Sequence, residues 1–239
     1  MTHTVPLNSD SAELTDTVPL NSDSAELSSV ESEFSSTAKS SSAESEFSGT
    51  RTGERVPKII LYQGALNEGR GLEAAIEAMQ EIEGAVLWLA GEGDLSTILR
   101  EKVKALGLSQ KVRFLGFVLP KELPLVTAQA WIGLNLLENK GLSYYYSLAN
   151  KAFDYIQAGL PAIHMDFPEY RKLNEDWQVF TLVANLEVDL LRQAIRKLLD
   201  DDAYYQKLQE NCRKAALSLN WEQEEQQLLA IYDGISGAR

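Results

Sequence analysis

The sequence is poor in metal-binding and cross-linking residues. It holds one cysteine, Cys212, and two histidines, His3 and His164, among 239 residues. One thiol forms no internal disulfide, and three such residues scattered along the chain do not build a zinc cluster. No metal or other cofactor is therefore expected. Long apolar runs are lacking too: nothing reaches the roughly 18 consecutive apolar residues that suggest a membrane-spanning helix. No basic segment followed by an apolar stretch opens the chain, so no secretory signal is expected. The cytoplasm is the expected compartment, with peripheral contact to the inner face of the membrane as the further option. Basic residues are outnumbered, 22 Lys and Arg against 35 Asp and Glu, for a net charge of −13. That balance lacks the footprint of a nucleic-acid binder, and only a local basic pocket remains compatible with it.

What is present is unevenly spread. Thr2–Leu14 (THTVPLNSDSAEL) returns as Thr15–Leu27, with only His3 and Asp16 differing. Ser28–Ser40 and Ser41–Gly53 repeat more loosely at the same spacing of 13 residues. Residues 1–53 carry nine acidic and two basic side chains, a net −7, which leaves −6 for the rest. This serine-rich stretch has two aromatics, Phe34 and Phe47, and too little apolar surface to offset the entropy of ordering it. Its unit is also shorter than the repeats of about 20 residues upward that stack into solenoids. Residues 1–55 are expected to be disordered. A flexible or phosphorylated tether and an expanded in-frame DNA repeat without a role both fit.

From Val56 onward, short apolar runs alternate with helical spacings. Lys58–Gln63 (KIILYQ), Ala85–Ala90 (AVLWLA), Val112–Val118 (VRFLGFV), Ile132–Leu137 (IGLNLL) and Pro161–Met165 (PAIHM) read as strands, with Val179–Val183 as a sixth. Apolar positions 72, 75, 76 and 79 predict a helix over Leu72–Ile82, and Leu95, Ile98, Leu99, Val103 and Leu106 predict one that Gly107 ends. Pro120–Ala130 and Ser147–Ala158 read as helices, the second closed by Gly159. The tail from Val188 to about Ile235 reads as helical, broken near Asp200–Asp202 and Leu219–Trp221. This alternation predicts an α/β, doubly wound, Rossmann-like domain over residues 56–239, its parallel sheet covered on both faces.

Ligands of such sheets sit beyond the carboxyl ends of the strands. The loop Gly64–Gly71 (GALNEGRG) nearly matches the phosphate-binding pattern G-x4-G-K-[ST], but Arg70 replaces the lysine and Gly71 the hydroxyl. The dinucleotide pattern G-x-G-x-x-G fails at Ala74. Both motifs share glycines that let backbone approach an anion, a following helix with free N–H groups, and here a guanidinium. A tight strand-to-helix turn would need the same glycines. In Tyr144–Pro161 (YYYSLANKAFDYIQAGLP), Ser147 is the expected N-cap and places Asn150 and Lys151 in the first turns. A cation there opposes the helix dipole unless an anion joins it. Asp154 follows on a similar face and suits a pair of sugar hydroxyls. An internal Lys151–Asp154 pair on a solvated face is the alternative. Tyr144, Tyr145 and Tyr146 stack on a base or sugar, or fill a loop. His164 is expected in the core.

The order and spacing of Gly64–Gly71, GEGDL at Gly91–Leu95, VRFLGFV at Val112–Val118 and NKAFDYIQAGLPAI at Asn150–Ile163 resemble the C-terminal lobe of retaining GT-B glycosyltransferases of family 4. The resemblance runs from about Lys58 to Ile235. It implies a lobe that binds a nucleotide-diphosphate sugar without a metal. Arg70 and the Gly64 and Gly71 backbone would cradle the diphosphate. Amides near Ser147, Asn150 and Lys151 would join them, and Asp154, seven residues before Pro161, would hold the ribose. Several positions depart from the family pattern. Tyr146 stands at the first acid of E-x7-E, Ala65 where a second basic residue is frequent, and Asp154 is shorter than the usual glutamate. No catalytic residue is identified. Residues 1–53 do not supply the acceptor-binding lobe, so a separate N-terminal lobe or self-association is the implied partner. Two further readings are a non-catalytic nucleotide-binding or interaction module left by truncation, and a sugar-nucleotide epimerase. The Tyr-x3-Lys signature of epimerases fails at both Tyr146–Asn150 and Ser147–Lys151.

Overall fold

A computed structural model describes residues 56–236; the expectation of disorder for residues 1–55 lies outside them. Six strands form one parallel sheet in the order β3-β2-β1-β4-β5-β6. They are β1 Lys58–Gln63, β2 Ala85–Ala90, β3 Val112–Gly116, β4 Ile132–Asn135, β5 Ala162–Met165 and β6 Phe180–Val183. The helices are α1 Leu72–Ala78, α2 Ser96–Ala105, α3 Leu123–Thr127, α4 Leu142–Tyr145, α5 Asn150–Gln157, α6 Pro168–Trp177, α7 Val188–Asp200, α8 Asp202–Ala216 and α9 Trp221–Ser236. Among the described residues, no helix is long and apolar enough to cross a membrane.

The predicted doubly wound fold is observed, and the sheet's middle explains why the pattern was readable. β1 and β4 are covered on both faces, so Ile60, Leu61, Ile132 and Leu134 are buried and their strands read as unbroken apolar runs. The order runs outward from β1 in one direction and from β4 in the other, so crossovers of the usual right hand put α1 and α2 on the opposite face from α5 and α6. The strand order reverses between β1 and β4. A crevice therefore opens at their carboxyl ends, the switch point where open α/β sheets take ligands.

The helix that borders this crevice is pinned from below. Tyr155 of α5 is fully buried and donates its hydroxyl to the Leu134 carbonyl at 3.1 Å. Its ring lies flat on β4 because position 133 is glycine; a Cβ there would come within 2.6 Å of the ring. The helix then closes as predicted. Gly159 takes a left-handed φ of 63°, and the Gly159 and Leu160 amides bond to the Ile156 and Tyr155 carbonyls.

Several boundaries differ from the sequence reading. The predicted start of α5 at a Ser147 cap is corrected: the helix begins at Asn150 after Ala149, without a side-chain cap. Ser147 Oγ instead lies 3.4 Å from the Tyr170 hydroxyl, which also accepts the Ala149 amide at 3.0 Å. A tertiary contact has replaced the local one. Pro120–Ala130 contracts to the five residues of α3, and β3 stops at Gly116, whose φ is +72°. α6, opened by Pro168, was not anticipated. Its apolar spacing is sparse, and only Tyr170 is buried among its residues. The tail breaks into α7, α8 and α9 where expected.

Candidate anion-binding site

The crevice gathers side chains from β1, the Gly64–Gly71 loop, α4 and α5. Tyr62, one residue before the end of β1, is buried, and burial pushes its hydroxyl up to about 12. It therefore stays protonated and donates to the Ala65 carbonyl at 2.8 Å, holding the first turn of the loop. The Lys151 ammonium lies over its ring, 4.0 Å from the centroid. Gly64 makes room for that ammonium: a Cβ at position 64 would meet Lys151 Nζ at 3.2 Å. From the other side, the Arg70 guanidinium packs over Tyr144, 5.2 Å from the ring centroid.

Arg70 and Lys151 thus converge, and neither takes part in an ion pair among the described residues. Arg70 Nε is buried with no hydrogen-bond partner. Burial, followed by the charge of Arg70, depresses Lys151 to about 7, which outweighs the opposing pull of Asp154. Lys151 also occupies the second position of α5, where the helix dipole disfavours a cation and favours an anion. Two neighbouring basic side chains outside any ion pair, beside free helix amides, are an arrangement that can attract an anion.

Asp154 is not the partner of Lys151. Its Oδ2 accepts a hydrogen bond from Gln63 Nε2 at 2.8 Å, and the expected internal Lys151–Asp154 pair is not among the ion pairs of the described residues. Burial raises its carboxyl, and the bond from Gln63 pulls the other way. Asn150 and Asp154 line a cavity of about 470 Å³ walled by Pro120, Leu123 and Thr127 of the α3 segment. A second, of about 620 Å³, lies toward Phe153, Leu219 and Trp221.

The expected residues divide into two groups. Gly64, Arg70, Asn150, Lys151 and Asp154 border the crevice. Gly71 and Ser147 sit at its margins in supporting positions. Gly71 is buried with a φ of 64°, and a Cβ there would approach the Leu136 carbonyl to 2.6 Å. His164 lies in the core as expected, between Tyr170 and Phe180, and burial lowers it to about 3. Tyr144 supports Arg70, whereas Tyr145 packs against Phe167 and Tyr146 is exposed. Sequence reasoning missed Gln63 and Thr127. The one signal for Gln63 was an amide ending an otherwise apolar central strand. Among the described residues, no group of three or more His, Cys, Asp or Glu is placed to hold a metal ion.

The chain is similar to known proteins. The family model described as Glycosyl transferases group 1 matches residues 50–216. The lipopolysaccharide core biosynthesis glycosyltransferase LpsD of Rhizobium meliloti is 28% identical over 153 residues, which is 63% of this chain and 41% of LpsD. Sucrose-phosphate synthase from Thermosynechococcus elongatus shares the fold with a TM-score of 0.66 at 23% identity, over 77% of this chain and 46% of that one. HepE from Anabaena, solved in complex with UDP, gives 0.66 at 17% identity, over 75% and 49%. The chain spans less than half the length of the curated relatives it matches.

Proposed function

Because the chain belongs to the Glycosyl transferases group 1 family, we propose that its folded domain is the donor-binding half of a glycosyltransferase, the part that holds a nucleotide-diphosphate sugar. One observation carries this reading: Lys151 lies against Gly64 within reach of the charge of Arg70, and neither cation forms an ion pair among the described residues. A diphosphate bridging them and the first amides of α5 would supply the missing charge. Gly64 lets the loop backbone come close, and Asp154 accepts from the ribose hydroxyls. The 470 Å³ cavity beside α3 is apolar enough to take the base. HepE, which shares the fold, was solved with a nucleoside diphosphate. Arg70 and Lys151 can neutralise the diphosphate themselves, so binding takes no divalent ion.

Transfer also takes an acceptor site. We assign it to a second lobe, carried by a longer chain or by a partner molecule, a second copy of this chain included. The length of the relatives supports this, as does α9, which exposes Leu228, Leu229, Ile231, Tyr232 and Ile235. Holding acceptor against donor contributes roughly 7–11 kcal/mol to lowering a transfer barrier. The 239-residue chain alone is therefore expected to transfer no sugar at a useful rate.

The test is calorimetric titration of UDP, GDP, ADP and their hexose conjugates in buffer containing EDTA. Binding of at least one nucleoside diphosphate is expected. Failure of all of them to bind, or binding only on addition of a divalent ion, contradicts the reading.

A further inference from the structure

Gln63 is a polar residue in an unusual place. It ends the central strand β1 at the switch point and is 2% exposed. Both ends of its amide are used. Nε2 donates to Asp154 Oδ2 at 2.8 Å, and Oε1 accepts from Thr127 Oγ1 at 2.8 Å. Thr127 is itself buried and lies at the end of α3, 2.8 Å from the Leu123 carbonyl. A chain of three side chains thus links α3, β1 and α5: Gln63 and Thr127 are buried, and the last member, Asp154, is the solvent-facing carboxylate at the mouth of the cavity.

The direction of the chain follows from charge. An ionised Asp154 accepts only, so the amide must turn its NH2 toward α5 and its oxygen toward Thr127. The single hydroxyl proton of Thr127 is shared between that oxygen and the Leu123 carbonyl. One carboxylate oxygen of Asp154 is thereby fixed, and the other is left for a ligand. Aspartate has one methylene fewer than glutamate and little freedom to search for its partner, so this fixing decides where the second oxygen points.

We propose that Gln63 is a positioning residue that presents Asp154 to the vicinal hydroxyls of the nucleoside ribose, with Thr127 anchoring the far end of its amide. The inference rests on the donor-site reading above and deepens it: the ribose, as distinct from the diphosphate, is recognised through Gln63.

The experiment separates the two parts of the ligand. Inorganic pyrophosphate, the tightest binder among UDP, GDP and ADP, and its 2′,3′-dideoxy analogue are titrated into wild type, Gln63→Met and Thr127→Val. Methionine is close to glutamine in volume and keeps the core filled. Wild type should prefer the ribose form by on the order of tenfold, as for a hydrogen bond to a charged group. Gln63→Met should reduce that preference to about twofold and Thr127→Val should reduce it less, with pyrophosphate affinity unchanged in both. The remaining preference in Gln63→Met should also disappear at a higher pH than in wild type, because the amide N–H stabilises the ionised carboxylate. Full ribose preference in Gln63→Met overturns the proposal alone. Equal loss for pyrophosphate, ribose and dideoxy forms marks a merely structural role and also overturns it. If wild type binds neither pyrophosphate nor any nucleoside diphosphate, the donor-site reading fails and this proposal with it. Melting curves report whether Gln63→Met folds; if it does not, Gln63→Glu replaces it, which keeps size but repels Asp154 and should abolish the preference.

Discussion

Two cations at the carboxyl ends of the sheet are treated unlike those at its amino ends. At the amino ends of the strands, Lys111 bonds to the Ile82 carbonyl at 2.9 Å and to Glu83 at 2.7 Å, and Lys58 bonds to the Leu199 carbonyl at 2.8 Å. Arg196 reaches the Glu81 carbonyl at 3.0 Å, and Arg192, although its Nε has no partner, bonds through Nη1 to Glu81 and Asp189. At the carboxyl ends, Arg70 and Lys151 lie against tyrosine rings and form no ion pair among the described residues, although the charge of Asp154 reaches Lys151. The loops there are not short of acids, since Lys140 is held by both Glu68 and Glu138. The lower cations tie helix and loop ends to the sheet and serve stability. The upper pair disfavours the charged form of Lys151, and groups perturbed in this way cluster at functional sites, in keeping with the proposed anion site.

The largest expected effect breaks this symmetry at the lower end. Lys111→Met should cost about 1.5–3 kcal/mol of folding stability, because charge-assisted bonds to the Ile82 carbonyl and Glu83 are lost. Lys151→Met at the upper end should leave the melting temperature unchanged or raise it. Denaturant unfolding of both variants checks the contrast, and equal losses would remove it.

A pH series sharpens it. Lys151 sits near 7 in the folded chain against 10.5 for an ordinary lysine, so between those values the unfolded chain binds more protons. Its contribution to stability therefore improves as pH rises through that window, and its penalty is full below it. An anion at the site reverses the depression, and binding then takes up a proton. Affinity for a nucleoside diphosphate should fall from about pH 7.5 to about pH 9, by up to about tenfold per unit. Calorimetry in buffers of different ionisation enthalpy would count the proton, and a flat affinity with no proton uptake would contradict the role given to Lys151.

Asp154→Asn should weaken nucleoside diphosphate binding by no more than about 1–1.5 kcal/mol, since an amide still accepts one bond, and should leave pyrophosphate binding alone. The smallest effect is expected from the repeats. Deleting residues 1–53 should change the melting temperature by no more than a few degrees, because the core lies after Val56.

The fold was legible because the central strands are buried on both faces and the helices end at glycines, so Ile60–Leu61 and Gly159 announce themselves locally. The cations were legible as residue types out of place: Arg70 in a glycine turn and Lys151 at a helix start. What determines the site's geometry was not. Tyr170 replaces Ser147 at the start of α5 from 21 residues beyond Ala149, and Gln63 meets Asp154 across 91 residues. Such contacts leave no periodicity and no local motif, only single polar residues in places where apolar ones would serve.

The most direct test of the donor site is calorimetric titration of the tightest-binding nucleoside diphosphate, in EDTA, against wild type and Arg70→Ala. The variant keeps the fold, the α5 amides and Asp154, and removes one of the two converging charges. The account predicts a loss of about 1.5–3 kcal/mol in binding with an unchanged melting temperature. Undiminished affinity in Arg70→Ala would show that the diphosphate is held elsewhere.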